Sequence, residues 1–209
     1  MEISTVLTYI KQLVATIMTL LMMLSPAFGG DGAKYTAEKP EEVVMSFAAI
    51  SDTHVETNNP DSYKAFYDLL EGIKGGENID AVTYLGDNVM NGQALEDLFF
   101  YAGVRGVMPA EKNFVAMGNH DIGNGEGDYK KLMSKFLSNN ALFLSNRLEK
   151  PYYYKVVNGC YMIFLASEDL TVNTCIMTEE QLTWLKALLD EAAEKNAPTF
   201  VFNHHPLYY

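Results

Sequence analysis

Polar side chains able to bind metal or transfer protons follow directly after short apolar runs of this sequence. They are Asp52, His54, Asp87, Asn119, His120 and His204. The runs, residues 43–50, 81–85, 114–117 and 199–202, predict buried strands. Strand ends on one edge of an open α/β sheet converge, so we expect these side chains to line a single crevice. All four histidines of the chain follow predicted strands in this way, which scattered surface histidines would not do.

Imidazole nitrogens mixed with carboxylate and amide oxygens form a donor set that suits Mn, Fe or Zn. The set lacks the thiolates of a structural zinc site. In Asp52-Thr53-His54 the outer side chains would point the same way on an extended backbone, so they could chelate one ion. Asp87 has two oxygens and could bridge two ions, and Asn119 offers a neutral oxygen. Gly118 lets the chain turn tightly after the third strand.

Amphipathic stretches between the strands predict helices over residues 62–74, 94–102, 129–138 and 179–195. Thr178 and Gln181 form a predicted capping box for the last helix. Residues 152–157 and 160–166 predict two strands joined by Asn158-Gly159, a strong hairpin signal. Strands alternating with helices, together with one hairpin, indicate an α/β domain whose sheets have helices outside.

Residues 1–30 have the pattern of a secretory signal peptide. An uncharged apolar run over residues 13–24 follows Lys11, and small residues come next. The run is short for a membrane span, although an uncleaved anchor or a buried helix remains an alternative. We expect residues 31–42 to be a linker, residues 43–209 to form the domain, and the protein to act outside the cytoplasm, secreted or anchored at the outer face of the membrane.

The formal net charge of −12 argues against binding to long nucleic acids. An anionic substrate would also be repelled, unless a metal centre supplied local positive charge. The two cysteines, Cys160 and Cys175, lie outside any Cys-x-x-Cys pattern, so a metal role is not expected. An exported chain could pair them in a disulfide, whereas the apolar surroundings of Cys160 favour a core position, and both alternatives stay open.

Four blocks in order resemble the calcineurin-like metallophosphoesterase family over roughly residues 45–209. They are Asp52-x-His54, Gly86-Asp87, Gly118-Asn119-His120-Asp121 and His204-His205-Pro206. The resemblance implies two packed mixed β-sheets flanked by helices, in four layers, with a two-metal site at the strand ends. It also implies hydrolysis of small anionic phosphomono- or phosphodiesters by a metal-activated hydroxide.

The resemblance further implies a role for each residue of the site. Asp52 and His54 would bind one metal and Asp87 would bridge both, while Asn119 and His204 would bind the second. His120 would be a catalytic histidine that contacts the substrate without binding metal, and Asp121 would orient His120.

Two departures from the family pattern stand out. The family normally closes its site with a later Gly-His-x-His block, which is absent before Tyr209, so we expect this sequence to be a fragment whose C-terminal part is missing. The position where purple acid phosphatases carry a tyrosine is Met90, so a purple iron site is not expected.

The function we expect is that of an exported metal-dependent phosphoesterase. One alternative is an exported, non-catalytic binding protein that keeps the fold with an incomplete metal site. A nuclease of similar chemistry fits the acidic composition poorly. A haloacid-type phosphatase needs an Asp-x-Asp motif, and His54 stands where its second aspartate would be.

Overall fold

The computed structural model describes residues 43–170 and 172–206. The predicted signal peptide (residues 1–30) and linker (residues 31–42) lie outside this part of the chain, as do the last three residues of the predicted domain. Within the described ranges, no helix has the length and apolar character needed to cross a membrane.

The described chain alternates strands and helices as the sequence predicts. The strands are β1 (Phe47–Ile50), β2 (Ala81–Leu85), β3 (Asn113–Ala116), β4 (Tyr153–Val157), β5 (Cys160–Phe164) and β6 (Thr199–Phe202). The α-helices are α1 (Pro60–Lys74), α2 (Ala94–Arg105), α3 (Tyr129–Leu144) and α4 (Glu179–Glu194). Short 3-10 turns cover Ala110–Lys112 and His120–Ile122.

The strands form two three-stranded sheets. The first has the order β1-β2-β3 and is parallel throughout, with Ile50 opposite Tyr84 and Leu85 opposite Ala116. The second has the order β4-β5-β6, with the β4–β5 hairpin antiparallel and β6 parallel to β5. The hairpin turns at Asn158-Gly159, as predicted. Of the two sheets expected to be mixed, only the second is mixed among the described residues.

The two sheets pack face to face with helices outside. Between them, Phe114 and Ala116 of the first sheet join Met162 and Phe164 of the second in one buried cluster. On the outer face of the first sheet, Tyr84 packs edge-on against Phe100 of α2. The outer face of the second sheet is covered by α4, as described next. The predicted layers are therefore confirmed.

Helix α4 packs on the second sheet through Leu188 and Ala192, which cluster with Ile163 of β5. The apolar side of α4 is only partly buried, because Leu182 and Leu189 remain 42% and 40% exposed.

The start of α4 differs from the predicted capping box. Thr178 Oγ1 accepts the N–H of Gln181 at 3.3 Å, as expected. The second bond of a capping box would run from the Thr178 N–H to the Gln181 side chain. Here the Thr178 N–H donates to Glu168 instead, at 2.9 Å. The buried Gln181 amide instead hydrogen-bonds both ways with the backbone of Ala166, at 3.1 and 2.9 Å. Gln181 thus ties α4 to the chain that follows β5.

Helix α3 extends six residues beyond its predicted end at residue 138. Asn140, which lies beyond that predicted end, is buried. Its amide donates to the Tyr101 hydroxyl at 3.1 Å and to the Phe136 carbonyl at 3.0 Å. A tertiary contact with α2 therefore continues the helix through a weakly helical sequence.

Both cysteines are free thiols. Cys160 is buried in β5, which agrees with its expected core position, and Cys175 is partly exposed.

Candidate metal centre

The parallel order of the first sheet brings three loops to one edge. Residues 51–54 follow β1, residues 86–88 follow β2 and residues 117–121 follow β3. A fourth loop arrives from the second sheet, where His204 follows β6 and its Nδ1 lies 3.0 Å from the Leu85 carbonyl at the end of β2. The four loops meet because the two sheets are packed against each other.

Asp87 lies at the centre of the histidines brought together by these loops. Its Oδ1 is 3.2 Å from Nε2 of His204, and its Oδ2 is 3.9 Å from Nε2 of both His54 and His120. The Oδ1 atom also accepts the backbone N–H of His120 at 2.9 Å. The side chain of Asp87 is only 7% exposed.

Two groups of side chains place possible ligand atoms within 4.8 Å of one another. One consists of His54, Asp87 and His120, and the other of Asp52, Asp87 and His204. Asp87 belongs to both. Asp52 and His54, which the sequence assigns to one ion, fall in different groups, although His54 Nε2 and Asp52 Oδ1 are only 3.7 Å apart.

The backbone at these residues is unusual. Asp52, His54 and Asp87 have positive φ angles of 57°, 42° and 50°. The extended backbone expected for Asp52-Thr53-His54 is therefore wrong, because both outer residues adopt left-handed conformations. Non-glycine residues rarely adopt this region, and such strained residues cluster at functional sites. Backbone hydrogen bonds hold the segment, from Asp52 N to Gly86 O at 3.1 Å and from His54 N to Asp87 O at 3.0 Å.

Backbone carbonyls orient two of the imidazoles. His120 Nδ1 lies 2.6 Å from the Met90 carbonyl, and His204 Nδ1 lies 3.0 Å from that of Leu85. A carbonyl only accepts, so each Nδ1 carries the proton and donates it. The Nε2 atom of each ring is thereby directed towards Asp87. This arrangement is typical of histidines that bind metal or exchange protons.

The loop after β3 approaches Asp87 closely. A Cβ atom placed on Gly118 would lie 2.2 Å from the Asp87 nitrogen and 2.4 Å from its Oδ1, so only glycine fits. The next residue, Asn119, is nearly buried, and its amide nitrogen donates to Asn124 Oδ1 at 2.8 Å. With that nitrogen engaged, the Asn119 oxygen is the atom available to a metal.

The contacts of Asp121 differ from those expected of a residue that orients His120. Its carboxylate accepts four hydrogen bonds, from the backbone nitrogens of Asn88 (2.9 Å), Val89 (3.2 Å) and Gly118 (2.7 Å) and from the Asn88 amide (3.1 Å). The expectation that Asp121 orients the His120 ring is corrected here, because the Met90 carbonyl bonds that ring. Asp121 instead joins the loop after β2 to the loop after β3.

The charges around Asp87 favour a cation. Burial by itself would raise the pKa of Asp87, but hydrogen bonds from His204 and from the His120 backbone bring it below its ordinary value. Burial would lower the pKa of His204, yet the hydrogen bond and charge of Asp87 raise it above its ordinary value. Burial raises the pKa of Asp121 to about 7, and the Asp87 carboxylate adds to this rise.

The residues present fit a transition-metal site. The donors are imidazole nitrogens, carboxylates and one amide oxygen, which together suit Mn, Fe or Zn. The buried Nδ1 of His54 has no hydrogen-bond partner among the described residues, and the Nε2 of the same ring is the nitrogen that lies beside carboxylates, 3.7 Å from Asp52 Oδ1 and 3.9 Å from Asp87 Oδ2. Every sequence-predicted ligand lies in one of the four converging loops.

Sequence reasoning missed the residues that hold the loops. Met90 acts through its carbonyl, which no side-chain pattern reveals. Asn88 follows Asp87 directly and donates from both its backbone and its amide to Asp121. Lys135 of α3 donates to the carbonyl of Gly92 at 2.5 Å, far from any recognised motif.

Comparison with known proteins agrees with this geometry. The family model described as calcineurin-like phosphoesterase matches residues 45–209, starting two residues after the predicted domain boundary. No curated protein matches the chain in sequence. Among solved structures, a dimetal phosphatase from Danio rerio is similar in fold, with a TM-score of 0.56 and 17% sequence identity. The match covers 79% of this chain and 71% of that one. The chain therefore belongs to the calcineurin-like phosphoesterase family, that is, to the metal-dependent hydrolases of phosphoester bonds.

Proposed function

We propose that this phosphoesterase hydrolyses small phosphomono- or phosphodiesters at a two-metal site centred on Asp87. The observation that carries the proposal is the position of Asp87 in both groups of possible ligands, with one oxygen near His204 and the other near His54 and His120. A carboxylate shared in this way suits a bridge between two ions.

The remaining ligands are assigned by the family pattern. Asp52 and His54 would hold one ion, Asn119 and His204 the other. The short distance from His54 to Asp52 supports the first pair. For the second pair, the support is that His204 Nε2 lies 3.2 Å from Asp87 Oδ1 and that the Asn119 nitrogen is engaged by Asn124, which leaves the Asn119 oxygen as the atom able to bind metal. The Danio rerio neighbour is described as a dimetal phosphatase, which agrees with two ions here.

Two ions held by these residues would supply positive charge for a phosphate and lower the pKa of a water molecule. That water, after releasing a proton to solvent, would attack phosphorus as hydroxide in line with the ester oxygen, whose bond to phosphorus would break. His120 holds a proton on Nε2 and donates it to the departing oxygen. Its Nδ1, bonded to the Met90 carbonyl, keeps the ring in the orientation this transfer requires.

The substrate we propose is a small phosphate ester. The chain carries a net charge of −12, so long polyanions are repelled while a single phosphate can be attracted locally by a metal centre.

We also propose that the protein is exported, on the basis of the signal-peptide pattern in residues 1–30. The test is mass spectrometry of the N-terminus of protein recovered from the native cell envelope or medium. A mature chain that starts near residue 30 supports export. A chain that retains residues 1–30 and is found only in the cytoplasm contradicts it.

The proposed activity is tested with protein produced from its complete gene and loaded separately with Mn, Fe or Zn. Metal content is measured beside hydrolysis of p-nitrophenyl phosphate and bis-p-nitrophenyl phosphate. We expect hydrolysis to require metal, and we expect Asp87→Ala to lose at least one ion together with activity. Binding of both ions by a folded Asp87→Ala variant would remove Asp87 as the bridge, and metal-loaded protein without hydrolysis would contradict the proposed activity.

A further inference from the structure

The direction of the His120 ring depends on a loop that carries none of the predicted site residues. Residues 90–93 join the end of the Asp87 loop to helix α2. The Met90 carbonyl in this loop accepts the bond from His120 Nδ1 at 2.6 Å. Whatever fixes this loop therefore also fixes the imidazole that we propose to act on the substrate.

Gly92 presses the loop against the turn that contains His120. Its φ angle is +61°, and a Cβ atom there would lie 2.9 Å from the Asp121 carbonyl oxygen and 3.0 Å from that of His120. The two backbone segments are thus in direct contact, with no space for a side chain. Both segments direct carbonyl oxygens into this contact, and such oxygens need a donor.

Lys135 of α3 supplies that donor. Its Nζ lies 2.5 Å from the Gly92 carbonyl oxygen and 3.5 Å from that of Asp121. The ammonium group is paired with Asp97 of α2 at 2.7 Å, and its side chain is only 25% exposed. One cation therefore joins the two loops and two helices around the site.

Glu96 holds the same loop from its other end. This residue is fully buried, and its carboxylate accepts the backbone N–H groups of Asn91 at 2.9 Å and Gln93 at 3.2 Å. The residues on both sides of Gly92 are thereby anchored on the first turn of α2. The carbonyl of Gly92 itself is left to Lys135.

We propose that Lys135 is a positioning residue for His120. By holding Gly92 against the His120 turn, it keeps the Met90 carbonyl where the Nδ1 proton of the ring can donate to it. The consequence for catalysis rests on the proposed function, whereas the consequence for the imidazole hydrogen bond does not.

The test compares Lys135→Met with Lys131→Met, which removes the same charge from an exposed position of the same helix. Lys135→Arg is the conservative variant that keeps both charge and donors. Three quantities are measured on metal-loaded protein: kcat and KM, the metal content, and the NMR signal of the His120 Nδ1 proton, assigned by its absence in His120→Ala.

For Lys135→Met we expect kcat to fall about tenfold or more with KM and metal content nearly unchanged. The Nδ1 proton signal should broaden or disappear, because its acceptor is no longer fixed. Lys135→Arg should recover both the signal and most of kcat, and Lys131→Met should match the unmodified protein.

A folded Lys135→Met variant with an unaltered proton signal would overturn the proposal. Loss of metal in parallel with the fall in kcat would also overturn it, because the substitution would then have disrupted the whole metal site and not the orientation of His120 alone. If Lys135→Met does not fold, Gly92→Ala tests the same contact from the other side, and a folded Gly92→Ala variant that keeps the signal refutes it. Absence of phosphoesterase activity in the unmodified protein would refute the proposed function, while the proton signal would still test Lys135.

Discussion

Replacing Gly118 by alanine should disturb the site by forcing two of its loops apart, and the structure sets the distance. The added Cβ would lie 2.2 Å from the Asp87 nitrogen, whereas ordinary van der Waals contact begins at 3.4 Å. The loop after β3 and the loop after β2 must then separate by about 1.2 Å, the difference between these two distances. Because Gly118 does not have a positive φ angle, alanine meets this contact without added backbone strain.

A displacement of about 1 Å at reacting groups can cost on the order of 100-fold in rate. We therefore expect Gly118→Ala to lower kcat/KM about 100-fold. Overpacking of this kind typically costs about 1–3 kcal/mol of stability, so the melting temperature should fall by roughly 2–12 °C. The assays are hydrolysis of p-nitrophenyl phosphate by metal-loaded protein and thermal unfolding followed by circular dichroism.

Gly106→Ala is the matched control. Gly106 ends α2 with a φ angle of −77°, and the nearest atom to an added Cβ is the Gly103 oxygen at 3.3 Å. This variant should keep nearly full activity. If a folded Gly118→Ala variant hydrolysed the ester within about twofold of the unmodified rate, the close approach of the two loops would be refuted as a requirement of the site.

Three further outcomes follow from the contacts of individual residues. His120→Ala should lower kcat on the order of 100-fold while metal content holds, and equal loss of metal would show that His120 is a ligand. Asp121→Ala leaves three buried backbone N–H groups without their acceptor, so the free energy of unfolding should fall by about 3 kcal/mol or more, and a urea-denaturation loss below about 1 kcal/mol would contradict this role. Without reductant, the unfolded protein should react at both Cys160 and Cys175 with a thiol reagent, whereas a disulfide would leave neither reactive.

Much of the fold follows from apolar periodicity alone. The run Ala81–Leu85 coincides with β2, because five apolar or β-favouring residues are bounded on one side by Asp80 and on the other by Gly86. Gly118 was recognised as a turn residue, and the structure adds why glycine is required, since the reason is a contact with the distant Asp87. Helix α3 is longer than predicted because a buried contact between Asn140 and Tyr101 overrides the local helix propensity.

The convergence of the site was predictable, whereas its internal hydrogen bonds were not. A polar residue after each strand marks the edge of a sheet where ligands bind, and this placed His54, Asp87 and His204 together. Which groups orient each imidazole depends on backbone carbonyls such as that of Met90, and carbonyls carry no sequence signal. Asp121 was therefore given the wrong partner, although its importance was recognised.

The central claim is that Asp87 lies between two metal ions. Anomalous X-ray diffraction from crystals grown with Mn²⁺ tests it most directly, since manganese positions are located independently of the protein atoms. We expect two anomalous peaks on either side of the Asp87 carboxylate, roughly 3.5–4 Å apart. Fully loaded crystals with anomalous peaks only at a distance from Asp87 would contradict the claim.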